Sequence, residues 1–299
     1  MAEGLTSTET TADDPNRPRL ARLGIVAAED ASAGHAADTE ARDDAPREWA
    51  LPGVHAAARR LLYKLPRGRL LDLAAGEGAL SKWAREQGFD VTATEIDSHI
   101  FRTADVPCHE VDLNHPLPWA DASVDVVTAL EIVEHLENQY QFLREIARVL
   151  KPGGHAVLST PNEHNIQNRW TYFWTGFYGD SRHIIHEDDP DLPLRHINMI
   201  PPSQLELAWR RAGLQLTEFE ISKHRPTAWL LLPFVYPLQR LRYRLKLSRI
   251  KDPREHATCR RAYDLLSDVR MLTGRVVVYH LFKPLAGDDR SNAKEAPIS

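Results

Sequence analysis

Along the middle of the chain, short apolar runs alternate with amphipathic stretches. The runs at residues 69–74, 90–96, 106–111, 124–130 and 155–160 have the length and composition of buried strands. Between them, residues 80–87, 98–104 and 140–150 place apolar side chains at helical spacing, with Gly88 and Pro152-Gly153-Gly154 as stop signals. Strand and helix taking turns in this way predicts a parallel sheet covered by helices. A helix over 48–64 precedes it, carried by Trp49, Leu51, Val54, Ala58, Leu61 and Leu62 and stopped by Pro66 and Gly68. A helix over 203–212, a strand over 214–221 and a last strand over 275–282 follow. No internal repeat is visible.

Residues 1–46 mix small, acidic and polar types without period, which predicts a disordered N-terminal tail, and 285–299 read as a flexible C-terminal tail. That leaves 47–284 as one domain. With 42% hydrophobic and 26% charged residues the chain can fill one large core or two small ones. A formal net charge of -5 argues against a surface built throughout for nucleic acid. Only Cys108 and Cys259 are present, so neither a disulfide framework nor a cysteine metal knuckle is expected, and a reducing cytosol suits both thiols. The N-terminus has acids early and no basic head before an apolar core, unlike a signal peptide. The most apolar stretch, 228–238, is too short to cross a bilayer and is expected to break at Pro233 and Pro237. A cytoplasmic protein is the expectation, with peripheral membrane contact through 228–261 an added one.

The candidate chemistry begins at Leu70-Leu71-Asp72-Leu73-Ala74-Ala75-Gly76-Glu77-Gly78, which puts two glycines where a buried strand turns into a helix. Glycine there lets backbone approach a ligand closely. Glu95 ends the next predicted strand, where a carboxylate can accept hydrogen bonds from ribose hydroxyls, and Asp112 ends the third, where one can meet the exocyclic amine of adenine. A nicotinamide-dinucleotide fold would use the same glycines, but its third glycine would fall at Ser81.

Residues 70–78, Glu95, Asp112, 124–135 and 142–162 together resemble the class I S-adenosylmethionine-dependent methyltransferases over roughly half of the chain. Leu150-Lys151-Pro152-Gly153-Gly154 is among the more specific pieces of the match. The resemblance implies an α/β fold: a doubly wound, Rossmann-like sheet of seven strands whose last, 275–282, inserts antiparallel. It also implies S-adenosylmethionine as cofactor. Asp72 would lie near the methionine moiety, Gly76 and Gly78 would form its floor, and Ile96 and Leu113 would join Glu95 and Asp112 in binding.

In Leu130-Glu131-Ile132-Val133-Glu134-His135-Leu136, a helix would project Glu131, Glu134 and His135 from one face within reach of one ion. Oxygen and imidazole donors suit Mg²⁺, Mn²⁺ or Zn²⁺. The Glu-x-x-Glu-His pattern is similar to that of ubiquinone-pathway O-methyltransferases and of small-RNA 2′-O-methyltransferases, where it can hold a divalent ion. A further ligand would come from the loop beyond the fifth strand, where His183, His186 and His196 gather; His196, in Arg195-His196-Ile197-Asn198, is the favoured one. The metal-free alternative makes Glu131 a support of the cofactor and has His135 cap or pack the following helix, with His196 or His135 still open as general base.

On the substrate side, Trp170, Tyr172, Phe173, Trp174, Phe177 and Tyr178, with Gly176 and Gly179 between them, suit either a lid with aromatic walls or an accessory helix. An insertion at 224–272 then separates the last two strands. In it, the apolar 229–236 precedes a stretch at 240–261 holding nine Lys or Arg and two acids, Asp252 and Glu255. That pattern fits either a peripheral anchor at an anionic membrane or a helical cap with solvated arginines. The insertion, with 159–162, 175–178 and 196–198, also resembles bacterial methyltransferases of surface-polysaccharide and lipid-linked glycan synthesis. O-methylation of a small or lipid-linked acceptor (a quinol, a glycan or a secondary metabolite) is therefore the leading expectation. RNA 2′-O-methylation ranks below it because no RNA-binding module accompanies the domain. A non-catalytic scaffold is disfavoured by the intact set of Asp72, Gly76, Gly78, Glu95 and Asp112.

Overall fold

The computed structural model describes residues 45–178 and 196–285, so nearly all of both expected tails lies outside the described residues. A helix α1 (Val54–Tyr63) leads into strand β1 (Arg69–Leu73), helix α2 (Ala79–Glu86), strands β2 (Asp90–Glu95), β3 (Cys108–Glu110) and β4 (Val124–Ala129), helix α3 (Gln139–Val149) and strand β5 (Leu150–Pro161). Helix α4 (Ile166–Thr175), helix α5 (Pro202–Ala212) and strand β6 (Gln215–Ile221) follow. Helices α6 (Pro226–Leu247), α7 (Pro253–Leu266) and α8 (Val269–Thr273) fill the insertion before strand β7 (Val276–Phe282).

The strands form a seven-stranded sheet in the order β3-β2-β1-β4-β5-β7-β6. The first five strands run parallel, while β7 pairs antiparallel with both β5 and β6. Because both faces are covered, alternate residues of one strand enter different cores. Leu70, Val126, Val157, Val276 and Val278 pack beneath α1 and α2, while Leu71, Val127, Leu158, Val277 and Tyr279 pack beneath α3 and α5 around Trp209. The strand order reverses between β1 and β4, and an open sheet binds its ligand outside the carboxyl ends at such a point.

Several expectations need correction. The first helix starts at Val54, not residue 48, because Pro52 and Gly53 interrupt it and Gly53, at φ 94°, is its N-cap. The helix expected over 98–104 is a single 3₁₀ turn, Ser98–Ile100, capped by Asp97; beyond it Phe101 turns extended and Arg102 donates its N–H to the Glu77 carbonyl. Strand β5 begins at Leu150 and runs through Pro152-Gly153-Gly154, with Gly153 at φ 83° absorbing the irregularity. Pro233 and Pro237 do not break α6. Both face solvent, where water can satisfy the carbonyls that lose a donor. Among the described residues, no helix is long and apolar enough to cross a membrane.

Candidate active site at the strand ends

The glycine loop follows β1 directly, and positive φ alternates along it at Ala74 (53°), Gly76 (59°) and Gly78 (89°). Such alternation turns successive N–H groups toward a common concavity. A Cβ at Gly78 would lie 2.5 Å from the Phe101 ring and 2.5 Å from the Thr103 hydroxyl, so the helix start seats there only as glycine. At Gly76 the nearest obstacle is the Trp49 ring, 3.5 Å away.

Asp72 supports this loop from below. Its carboxylate is buried and accepts from the Ser81 and Thr128 hydroxyls at 2.6 Å each, tying β1 to α2 and β4. Burial pushes its pKa up to about 6, offset in part by those two hydroxyls. Ser81 therefore has a use of its own at the place of a nicotinamide-type third glycine. Glu95, at the end of β2, accepts from the N–H groups of Gly76 and Ile96, and burial raises its pKa against the help of those donors. Ile96 beside it is 59% exposed, an uncovered apolar surface at the mouth of the concavity. Asp112 lies two residues beyond the short β3; it accepts from the Asn114 amide at 2.9 Å and keeps its second oxygen toward His115 in the open. Leu113 is buried in the core on the α3 side. A glycine cradle, two acids at strand ends and an exposed apolar side chain suit the polar ribose and flat base of an adenosine cofactor.

Residues 47–51 pass over this cradle, a feature that their assignment to a helix hid. The Arg47 amide and the Trp49 indole N–H donate to the two oxygens of Glu77 at 3.0 and 3.3 Å, and the Leu51 amide donates to Glu131 at 3.2 Å. Trp49 thus acts as a strap across Gly76, pinned at both ends by carboxylates.

The expected metal ligands come together only in part. Residues 130–136 form a 3₁₀ turn, Val133–His135, instead of a helix, because Glu131 adopts φ 52° with its N–H bonded to Ser159 Oγ at 2.9 Å. Glu131 therefore turns toward Leu51 and is not among the gathered donors. Glu134, His135 and His196 each offer one ligand atom within 4.8 Å of the others, and the two imidazoles meet edge to face with centroids 4.9 Å apart. Asn198 delivers His196: its N–H donates to the Glu134 carbonyl at 3.0 Å and its side-chain amide to the carbonyls of Leu136 and Glu137 at 3.1 Å each. Gln139 closes the clasp by donating to the Val133 and Asn198 carbonyls. His183 and His186 lie outside the described residues.

Glu134 is fully buried, and among the described residues neither carboxylate oxygen has a donor in hydrogen-bond geometry. Burial raises its pKa well above the usual carboxylate range and the negative charge of Glu131 adds to this; its own amide and the Thr160 hydroxyl, near it but outside hydrogen-bond geometry, act in the opposite direction. A buried carboxylate without donors is costly unless a cation pairs with it. One ion of oxygen- and nitrogen-liking type fits this donor set. Sequence reasoning also passed over Glu163, which follows β5. The side-chain amides of Asn165 and Asn168 donate to the Asn162 carbonyl and brace its loop. Glu163 is 2% exposed, its oxygens meet no donor among the described residues, and burial raises its pKa to about 7.

The sequence matches a family model described as a methyltransferase domain over residues 42–218. It is 32% identical over 126 residues to a ubiquinone biosynthesis O-methyltransferase of Rickettsia conorii, covering 36% of this chain and 44% of that one. To a protein of the same description from Cupriavidus pinatubonensis it is 26% identical over 196 residues, covering 62% and 74%. The chain spans about half the length of the curated relatives it matches. Among solved structures, it is similar to a SAM-dependent methyltransferase of Archaeoglobus fulgidus at 17% identity and a TM-score of 0.49, covering 77% of this chain and 93% of that one. With the matched segment taking in the glycine cradle, the strand-end acids and the Glu134 turn, the chain belongs to the class I S-adenosylmethionine-dependent methyltransferase family.

Proposed function

We propose that this chain transfers a methyl group from S-adenosylmethionine to a hydroxyl oxygen of a small or lipid-linked acceptor, such as a quinol or a glycan. We further propose that Glu134, His135 and His196 hold a divalent cation beside the acceptor. The observation that carries this reading is Glu134: a wholly buried carboxylate without a hydrogen-bonded donor among the described residues, next to two imidazoles, just beyond β4 at the sheet edge that also bears Gly76 and Glu95. The O-methyltransferase descriptions of the two relatives support the choice of oxygen.

S-adenosylmethionine, when bound, supplies an electrophilic methyl on a sulfonium. A divalent cation, when held by Glu134, His135 and His196, lowers the pKa of a hydroxyl and fixes its oxygen. The chain's own contribution is placement. Gly76 and Gly78 let backbone close on the cofactor, Glu95 has lone pairs left for the ribose hydroxyls, and Asp72 holds the loop through Ser81 and Thr128. The Trp49 ring lies against Gly76 and covers that side of the cradle, where it would shield polar contacts to a bound cofactor. Transfer forms the O–CH₃ bond, breaks the S–CH₃ bond and releases the hydroxyl proton to solvent; in the absence of a cation, an imidazole nitrogen of His135 or His196 can take it instead.

The test is transfer of labelled methyl to a panel of quinols and lipid-linked sugars, with metal content measured by elemental analysis. Chelation should abolish turnover and leave cofactor binding intact, and added Mg²⁺, Mn²⁺ or Zn²⁺ should restore activity. Full turnover in metal-free protein removes the cation and leaves His135 or His196 as the base. A label found on nitrogen or carbon refutes the choice of acceptor atom.

A further inference from the structure

Helix α6 is apolar on two faces, and the described residues pack against only one. Ala228, Leu231, Leu232 and Val235 pack inward against Ile166 of α4 and Leu272 of α8, and Gln239 is buried on the same side, where it donates to the Leu266 carbonyl. On the outer side Leu230, Phe234, Leu238, Leu241 and Leu245 recur every three or four residues, each half to three-quarters exposed. A cap that merely covered its own domain would need only the inner face.

Charge is segregated at the C-terminal end of the outer stripe. The chain as a whole carries -5, yet residues 240–261 hold nine Lys or Arg against two acids. By helical geometry Arg242 and Arg244 lie on opposite flanks of the stripe, and both are exposed, as are Lys246, Arg249 and Lys251. Arg240 is engaged otherwise, facing Asp264 of α7 at 3.4 Å. Aliphatic side chains flanked by arginines match a surface that is hydrocarbon below and anionic above.

We infer that the outer face of α6 docks on an anionic lipid bilayer, lying in the interface with Leu230, Phe234, Leu238, Leu241 and Leu245 among the acyl chains and the flanking basic residues on phosphate headgroups. This goes beyond the proposed reaction and does not depend on which acceptor is methylated. The same helix abuts α4, whose first residues continue from the end of β5, so the docked face connects through one packed layer to the strand ends.

The test is flotation of the full chain with vesicles of phosphatidylcholine alone or mixed with phosphatidylglycerol, at low salt. Two variants accompany it: Arg242→Gln with Arg244→Gln and Arg249→Gln, and Leu230→Ser with Phe234→Ser. All these positions are exposed, so circular dichroism and melting should match the parent. Binding is expected to require phosphatidylglycerol, to fall about fivefold for each basic residue removed, and to fall at least tenfold in the Leu230, Phe234 variant. Absence of binding by the parent, equal binding to neutral vesicles, or unchanged binding by both variants overturns the proposal. Sedimentation velocity provides a further check: a dimer that the Leu230, Phe234 variant dissociates would make the occupant a second copy of the chain, and so also overturn it.

Discussion

The Glu134→Gln substitution addresses the metal reading without any knowledge of the acceptor. In the metal-free protein the Glu134 carboxylate is fully buried near Glu131 and its pKa stands well above the carboxylate range. A carboxyl raised on folding contributes stability that is present below its ordinary pKa and is lost as pH rises toward the folded value. Gln keeps the shape and removes the charge, at about 1 to 3 kcal/mol for an unpaired buried amide. Parent and variant should therefore converge as pH rises from about 4.5 to 8 without metal, since only the parent loses stability on this account. With Mn²⁺ at about a hundred times its dissociation constant, the parent should gain about 2.7 kcal/mol. For a domain of this size that corresponds to a melting shift of roughly 5 to 10 °C. The variant should gain a degree or two at most. Differential scanning calorimetry at pH 7.5, with and without Mn²⁺, measures both. A parent that melts unchanged in Mn²⁺, or a variant that shifts as much as the parent, refutes the assignment of the Glu134 cluster as a cation site.

Other consequences can be measured independently. Asp72, raised to about 6 by burial, should contribute stability that is lost as pH rises from about 4 through 6; Asp72→Asn should flatten that loss by about 2 kcal/mol in urea titrations at pH 4.5 and 7.5. Gly78→Ala forces a Cβ to within 2.5 Å of Phe101 and Thr103 at φ 89°, so it should cost about 2 kcal/mol or more in chemical denaturation. Trp49→Ala removes one anchor of the strap on Glu77 and should weaken S-adenosylmethionine binding by about tenfold, with the melting temperature shifting little. Wild-type affinity in that variant would mean that the strap does not cover the bound cofactor.

What the sequence made legible follows from which interactions are local. The parallel strands and the helices α2, α3 and α5 announced themselves because each buries a periodic face on one sheet, and apolar periodicity records that directly. The strand-end acids were legible because chain order in a doubly wound sheet fixes which loops meet. The Glu131 turn was not: helical spacing suggested three donors on one face, while a left-handed φ at Glu131 and its bond to Ser159, 28 residues away, set a different course. His196 was approachable only as one of several loop histidines, since Asn198 and Gln139 position it through bonds about 60 residues long-range in sequence. The strap at Trp49 and the buried Glu163 also depend on partners that no local pattern displays. In α6, two prolines suggested a break, yet exposure of both lets the helix continue.

The central claim is that Gly76, Gly78, Glu95 and Asp112 form a site for S-adenosylmethionine. Isothermal titration of the purified chain with S-adenosylmethionine, beside Glu95→Gln, tests it most directly. The parent should bind at one site. The variant, with a neutral acceptor in place of a charged one, should keep its fold and bind about tenfold or more weakly, roughly 1.4 kcal/mol or above. No heat of binding in the parent, or equal affinity in a folded Glu95→Gln variant, would contradict the account.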